Sequence, residues 1–360
     1  MVQTMVGKRR STGRVGTMQM GGLVFSLRLL AILPLAGFAL VAVPAHAYTT
    51  ITPSGMPLAQ PAGLAIDANG NVFVADRGTT LSNGALYEIQ AAGGYTSFVQ
   101  LGSGFAVPQA IAVDGDGNLF VADLAAGGEV CEIPPAAVPA ANGCASSNAV
   151  LLGTGFGKPG GVALDGNGNV FVSDTSHSTP PNTAHNTVDK IPAGGGAPVP
   201  VAAGFAFPQS VALDGRGNVF VLDIGAFAGD PNAAIYEVPA GSGTPARIGG
   251  GFTFPQGIAV DGRGNVFLAD EGSPLVAGGI EKITESGNVI LPGSPAAPNA
   301  VALDSVGTLY FIDSNLAPSS VDEIVDADPA PVPALGAWAL PLCFLLLGSA
   351  GALATPQRNA

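Results

Sequence analysis

Six times along this chain a proline is followed, six residues later, by an aspartate, and nine residues after that by a second aspartate. The copies begin at Pro61, Pro108, Pro159, Pro208, Pro255 and Pro298, at intervals of 47, 51, 49, 47 and 43 residues. A repeat of that length is longer than a leucine-rich or ankyrin unit and matches a propeller blade. The spacing inside each copy is invariant, whereas the spacing between copies is not. Each unit therefore has a rigid first half and a variable second half.

The content of each unit is β. In the fifth copy Gly257-Ile258-Ala259-Val260 alternates large and small residues, the period of a pleated strand. Gly262-Arg263-Gly264-Asn265 supplies a turn of residues that tolerate positive φ, and Val266-Phe267-Leu268-Ala269 reads as the returning strand. A third strand carries the mark apolar-x-(Glu or Lys)-apolar, as in Leu86–Ile89 and Ile235–Val238. A weaker fourth strand precedes the next proline, as at 97–101 and 149–152. Four strands repeated radially predict an all-β, six-bladed propeller. The sixth copy lacks its fourth strand, and Tyr48–Thr52 stands unassigned before the first proline. Pairing that strand with the last blade closes the ring over residues 48–326 and leaves no long sheet edge open.

The copies, with their Pro-led GIAVD strand, GN turn and VAD ending, resemble NHL repeats over essentially the whole folded part. The resemblance implies a six-bladed propeller, a scaffold that hosts binding modules as well as lyases and lactonases. The Trp-Asp class of propeller is disfavoured, because Trp338 is the only tryptophan and lies outside the array.

The two ends are of different character. Residues 1–47 hold five basic residues and no acid, then an uncharged run from Leu29 to Val43, then Ala45-His46-Ala47. A charged front, apolar middle and small residues at Ala45 and Ala47 predict a signal peptide cut after Ala47. An uncut anchor is the rival, but the run is short for a bilayer span. Residues 327–333 form a Pro-rich linker. Within 334–360, Ala334 to Ala354 offers 21 mostly apolar residues, enough for a transmembrane helix outside the propeller. Val332-Pro333-Ala334-Leu335-Gly336-Ala337-Trp338 resembles in part the IPTL-type C-terminal sorting signals of Gram-negative bacteria. That resemblance implies an exported protein in the periplasm, on the outer surface or anchored in the membrane.

Without the leader, eight basic residues face all 26 acids, a formal charge of −18. Nucleic-acid affinity rests on Lys and Arg neutralising phosphates, so RNA or DNA is excluded as a partner. Cys131 and Cys144 lie thirteen residues apart in the second copy, and export would place them where disulfides persist. A bridge from the third strand to its following loop is expected, with two free thiols as the alternative.

No catalytic set and no metal or cofactor site is expected. The first aspartate of each copy, including Asp114 in a stretch like the start of a calcium loop, reads as a hairpin-turn residue, because Arg216 and Arg263 occupy the middle of the same turn elsewhere. The second aspartates are expected to accept backbone N–H groups from the loop that follows. Only His177 and His185 remain after the leader, both in one loop, fewer than the three protein ligands usual for catalytic zinc. Candidate ligand contacts are those histidines and the residues after the prolines, which are Gln109, Gln209 and Gln256 in three copies and Ala62, Gly160 and Asn299 in the others. Amides there either bind a sugar, peptide or water or cap the inner strand ends. The expected function is an exported, envelope-associated binding or interaction module, monomeric, with an unknown protein or glycan partner. The alternative is a lyase or lactonase acting on a small extracellular substrate.

Overall fold

The computed structural model describes residues 48–324, apart from 126, 136–138, 176–185, 227–228, 274–275, 285–286, 292–296 and 315–318. The predicted leader, linker and C-terminal helix lie outside those residues. Among the described residues no helix is long and apolar enough to cross a membrane.

The described chain is six four-stranded antiparallel sheets. In blades one to five the strands follow chain order, beginning with the inner strands Pro61–Ile66, Pro108–Val113, Pro159–Leu164, Pro208–Leu213 and Pro255–Val260. Blade six is built from Pro298–Leu303, Leu309–Asp313 and Ser320–Ile324, and its outer strand is Thr49–Thr50 from the N-terminal end. Thr49 pairs with Glu323 and Thr50 with Asp322. Beyond the short strand, Ile51 N donates to Val321 O (2.9 Å), and Val321 N donates to Thr52 Oγ1 (2.6 Å). The ring is thus closed by the first segment of the fold holding the last.

The second strand of each blade is buried at every residue from its first through its aspartate. The pleat explains its sequence. In blade one Val72 and Val74 pack toward blade six, with Tyr310, Ile312 and Val321, while Phe73 and Ala75 pack toward blade two, with Leu119 and Val121. In blade two Leu119 and Val121 face back to blade one, and Phe120 and Ala122 face blade three. Alternation normally separates core from water; here both faces are core, so both registers must be apolar. Six such clusters, one between each pair of neighbouring blades, make up the interior.

The turn joining the first two strands is the same in every blade. Asp261 N donates to Asn265 O and Gly264 N to Asp261 O, at 3.0 Å each. The Asp261 carboxylate accepts from Arg263 N, Asn265 N and Asn265 Nδ2. Gly264 has φ +89°, and its counterparts Gly70, Gly117, Gly168, Gly217 and Gly307 also lie at positive φ, which is why glycine recurs there. Asp114 is used in the same way, its oxygens taken by Asp116 N, Asn118 N and Asn118 Nδ2.

The second aspartates have a larger role than the sequence reading assigned. Asp223 Oδ2 accepts from Ala206 N (2.7 Å) and Oδ1 from Phe207 N (2.7 Å), residues that lead into the inner strand of the same blade. Asp76, Asp123, Asp174 and Asp270 grip the equivalent pair of amides. Among the described residues the expected bond to the following loop is present as a third contact from Gly78 N, Gly225 N and Gly272 N. The main partner is the incoming chain because the carboxylate ends the buried strand beside the point where the chain crosses from the previous blade.

Cys131 and Cys144 form a disulfide with a Cα–Cα distance of 5.6 Å. It holds a loop with a 3₁₀ turn, Gly143–Ala145, against blade one, where Ala140 N donates to Leu101 O and Ser103 N to Ala140 O. The bridge therefore braces one blade interface as well as one blade.

Replacing Asp223 by alanine leaves three amides without their acceptor in a buried place. The expected loss is about 3 kcal/mol in urea unfolding, given roughly 1–3 kcal/mol per orphaned buried group and incomplete additivity. A loss below about 0.5 kcal/mol, the usual range for surface changes, would show that the clamp is not needed.

Candidate functional site

Each inner strand carries one irregularity. Pro61 pairs with Asp76 and Gly63 with Ala75, so Ala62 is an extra residue without a partner. The same shift falls after Pro108, Pro159, Pro208, Pro255 and Pro298. A bulge turns its extra residue out of the alternation. The bulged residues are therefore Ala62, Gln109, Gly160, Gln209, Gln256 and Asn299, and all six line a cavity of about 390 Å³. All six inner strands contribute to it, which puts it on the propeller axis. Leu64, Ile111, Val162, Val211, Ile258 and Val301 form an apolar collar in the same cavity.

The loops at the mouth add side chains from two positions. The residue after the second aspartate is Arg77, Leu124, Thr175, Ile224, Glu271 or Ser314; the residue before the proline is Gln60, Val107, Lys158, Phe207, Phe254 or Ala297. Backbone bonds join the two series, Arg77 N to Gln60 O, Thr175 N to Lys158 O and Glu271 N to Phe254 O, so both lie on one face. From these, Arg77, Leu124, Lys158, Thr175 and Phe207 reach the cavity. Gln109, Gln209 and Gln256 were singled out by the sequence; Arg77 and Lys158 were not. The signal was available, because each is the one cation in its column of six otherwise uncharged or acidic residues.

The amides are oriented by partners that can act in only one way. Arg77 Nη2 donates to Gln109 Oε1, which turns the Gln109 amide nitrogen away as a donor. Gln209 Nε2 donates to Gln256 O and to Gln256 Oε1, each 3.1 Å, which leaves Gln209 Oε1 as an acceptor. Gln256 Nε2 donates to Glu271 Oε2 at 2.8 Å. Asn299 Nδ2 donates to Pro61 O at 3.4 Å, the last inner strand reaching the first. The two open readings of the amides are thus divided: Gln209 and Asn299 bond neighbouring strands, while Gln109 is held by an arginine.

Arg77 is half-buried, and its Nε is buried with no hydrogen-bond partner. Burial pulls its guanidinium down from the ordinary value, although an arginine stays charged in proteins. Among the described residues no carboxylate pairs with Arg77 or with Lys158. Among the described residues no Asp, Glu or His lines the cavity, in a propeller whose residues 48–326 carry 25 of the chain's 26 acids.

His177 and His185 lie outside the described residues, as do Ala45 and Ala47. Among the described residues one group of potential metal ligands is present, Asp123, Glu129 and Cys144. Cys144 is committed to the disulfide and Asp123 to Ala106 N and Val107 N, so neither is available as a ligand.

On the third strands, burial first and a facing aspartate second hold several glutamates above their ordinary value: Glu88 near Asp67, Glu132 near Asp114, Glu323 near Asp304. In the fifth blade the same position is Lys282, which lies 5.5 Å over the Phe267 ring. Asp165 and Asp261 behave oppositely. Burial raises their carboxyls, but the turn donors outweigh it and hold both below the ordinary range.

No family model matches the chain, and comparison with curated proteins finds no match. Solved structures do match. A gluconolactonase from Xanthomonas campestris superposes with TM-score 0.58 at 14% identity, over 77% of this chain and 89% of that one. The PQQ-bound aldose sugar dehydrogenase of Streptomyces coelicolor gives 0.58 at 16%, over 78% and 98%. The calcium-binding protein regucalcin from Agrobacterium tumefaciens gives 0.51 at 14%, over 78% and 93%. At that identity the likeness is one of fold.

Two predictions follow from this geometry. A Cβ on Gly160 would lie 2.5 Å from Gln209 O, a backbone atom of the next inner strand. Gly160→Ala is expected to cost about 1–3 kcal/mol in thermal or urea unfolding, the range for overpacking; an unchanged midpoint would mean that the inner strands are free to spread. The glutamates with raised pKa bind protons more tightly in the folded chain, so their effect on stability falls as pH rises through the folded values. The melting temperature should rise as pH is lowered from 7 toward the ordinary glutamate value of 4.5. It should fall again below the ordinary aspartate value of 3.8, as Asp165 and Asp261 protonate. A steady decline from pH 7 downward in scanning calorimetry would contradict this.

Proposed function

We propose that the chain is an exported propeller, held at the cell envelope by its C-terminal apolar segment, that binds a small polar ligand at the mouth of its central channel. The observation that carries the reading is the ring of bulged residues: six equivalent positions are turned into one cavity, with polar groups over an apolar collar. A cavity of about 390 Å³ falls in the range of small-molecule sites. The structural neighbours include a gluconolactonase, a sugar dehydrogenase and a calcium-binding protein, and the fold does not choose among such roles.

Calcium, bound by the regucalcin neighbour, does not fit this cavity. The ion needs six to eight oxygen ligands that include carboxylates. The described lining offers Gln109, Gln209, Gln256 and Asn299 as neutral amides, and its charged groups are Arg77 and Lys158. Two cations repel a third.

The gluconolactonase neighbour favours a second reading, hydrolysis of a lactone or a related small substrate. Arg77 and the Gln109 amide could polarise a carbonyl oxygen. General-base activation of water needs a titratable group within hydrogen-bond reach, and the described cavity wall supplies none.

Titration calorimetry of the purified full chain in detergent, against neutral sugars, sugar acids and amino acids, separates the readings. At least one class should bind one to one, and Gln209→Ala should weaken it on the order of tenfold, as loss of a hydrogen-bonding group in a cavity does. Absence of binding together with turnover of gluconolactone would overturn the binding reading in favour of the enzyme. Intact mass of the protein from cell fractions is expected to start at Tyr48; a cytoplasmic protein starting at Met1 would overturn export.

A further inference from the structure

We infer that the channel-mouth ligand carries a negative charge, and that a small organic monocarboxylate, held by Arg77 and Lys158, is its class. The inference rests on the cavity being a ligand site. Taking a guanidinium out of water without an anionic partner is unfavourable, and buried charges are as a rule paired. Arg77 breaks that rule: its Nε is buried without a partner, and its Nη2 is spent on a neutral amide, Gln109 Oε1. Lys158 lines the same cavity from blade three, and among the described residues its ammonium makes no hydrogen bond or ion pair. Gln109, between them on blade two, presents its amide donors. Donors and positive charge thus share one side of the mouth.

Composition makes this arrangement more telling. Residues 48–326 carry 25 acids and seven basic residues, yet among the described residues the cavity lining holds two of the seven and none of the acids. An overall negative chain repels anions at long range, but a cleft with charge of one sign focuses its own field. The second mouth column sets the amount of charge. Glu271 occupies in blade five the place of Arg77 in blade one and holds Gln256 Nε2 at 2.8 Å. Two cations with one carboxylate at the rim suit a single negative charge better than a phosphate dianion. On the far side Gln209 Oε1 remains an acceptor for a ligand hydroxyl. Arg77 offers a planar donor fork matched to a carboxylate, and Lys158 a point charge.

The test is competitive calorimetry on the purified full chain with glucuronate, glucose, acetate and inorganic phosphate as probes. Glucuronate is expected to bind at least about tenfold tighter than glucose, with affinity falling as salt is raised. Arg77→Gln and Lys158→Gln should each weaken glucuronate on the order of tenfold and by more than they weaken glucose, while Glu271→Gln should tighten glucuronate. Should Arg77→Gln lower the melting temperature through lost packing, the half-exposed Lys158 and Glu271→Gln carry the test. Equal binding of glucose and glucuronate, insensitive to the charge variants, would overturn the anion assignment and leave the cavity reading standing. Phosphate binding more tightly than glucuronate would overturn the carboxylate class. No binding by any probe or by the wider panel would overturn both.

Discussion

The buried carboxylate at the end of each second strand is the interaction on which this propeller depends. A blade must receive a chain that has just crossed from its neighbour, and that crossing segment has no ladder partners of its own. Asp76, Asp123, Asp174, Asp223 and Asp270 supply acceptors for two consecutive amides of the crossing chain, at 2.6–3.0 Å. Charged acceptors make such bonds strong, and donors from the backbone keep the carboxylates tolerable in the interior. The clamp also places the proline and therefore the bulge behind it. Asp123 shows the balance: burial raises its carboxyl above the ordinary value, and the amides of Val107, Ala106 and Leu124 pull it back.

Around that clamp the rest is a matter of faces. A second strand with core on both sides cannot carry a charge until the end of its buried stretch, and there the aspartate stands. The blades touch only their neighbours, so stability is a sum of interfaces, and the ring needs its closing one. Here that interface joins Ile51, Met56 and Leu58 with residues of blades one and six, and the Tyr95 and Tyr310 hydroxyls meet at 3.0 Å across it.

The candidate site uses what the clamp leaves free. Six bulges around one axis would make a symmetric cavity, and the side chains break the symmetry. Gly160 stands where three copies have glutamine because a side chain there would meet the Gln209 carbonyl. Arg77 and Glu271 occupy one structural position with opposite charge. The cavity is consequently cationic on the side of blades one to three, inside a molecule that is acidic elsewhere.

The sequence alone determined the number of blades, the four strands in each, the closure by the N-terminal strand and the turn role of the first aspartates. These depend on local period and turn chemistry, which repeat and are therefore legible. The partner of the second aspartates was not legible, because Asp223 and Phe207 are 16 residues apart and meet only when the blade has formed. The register slip after each proline was equally hidden, since the pattern of a bulged strand differs little from a regular one. Arg77 and Lys158 sit about 80 residues apart in loops of two blades. Only the closed ring brings them to one cavity whose described lining holds no carboxylate, because proximity around an axis is a property of the assembled blades and not of any one copy.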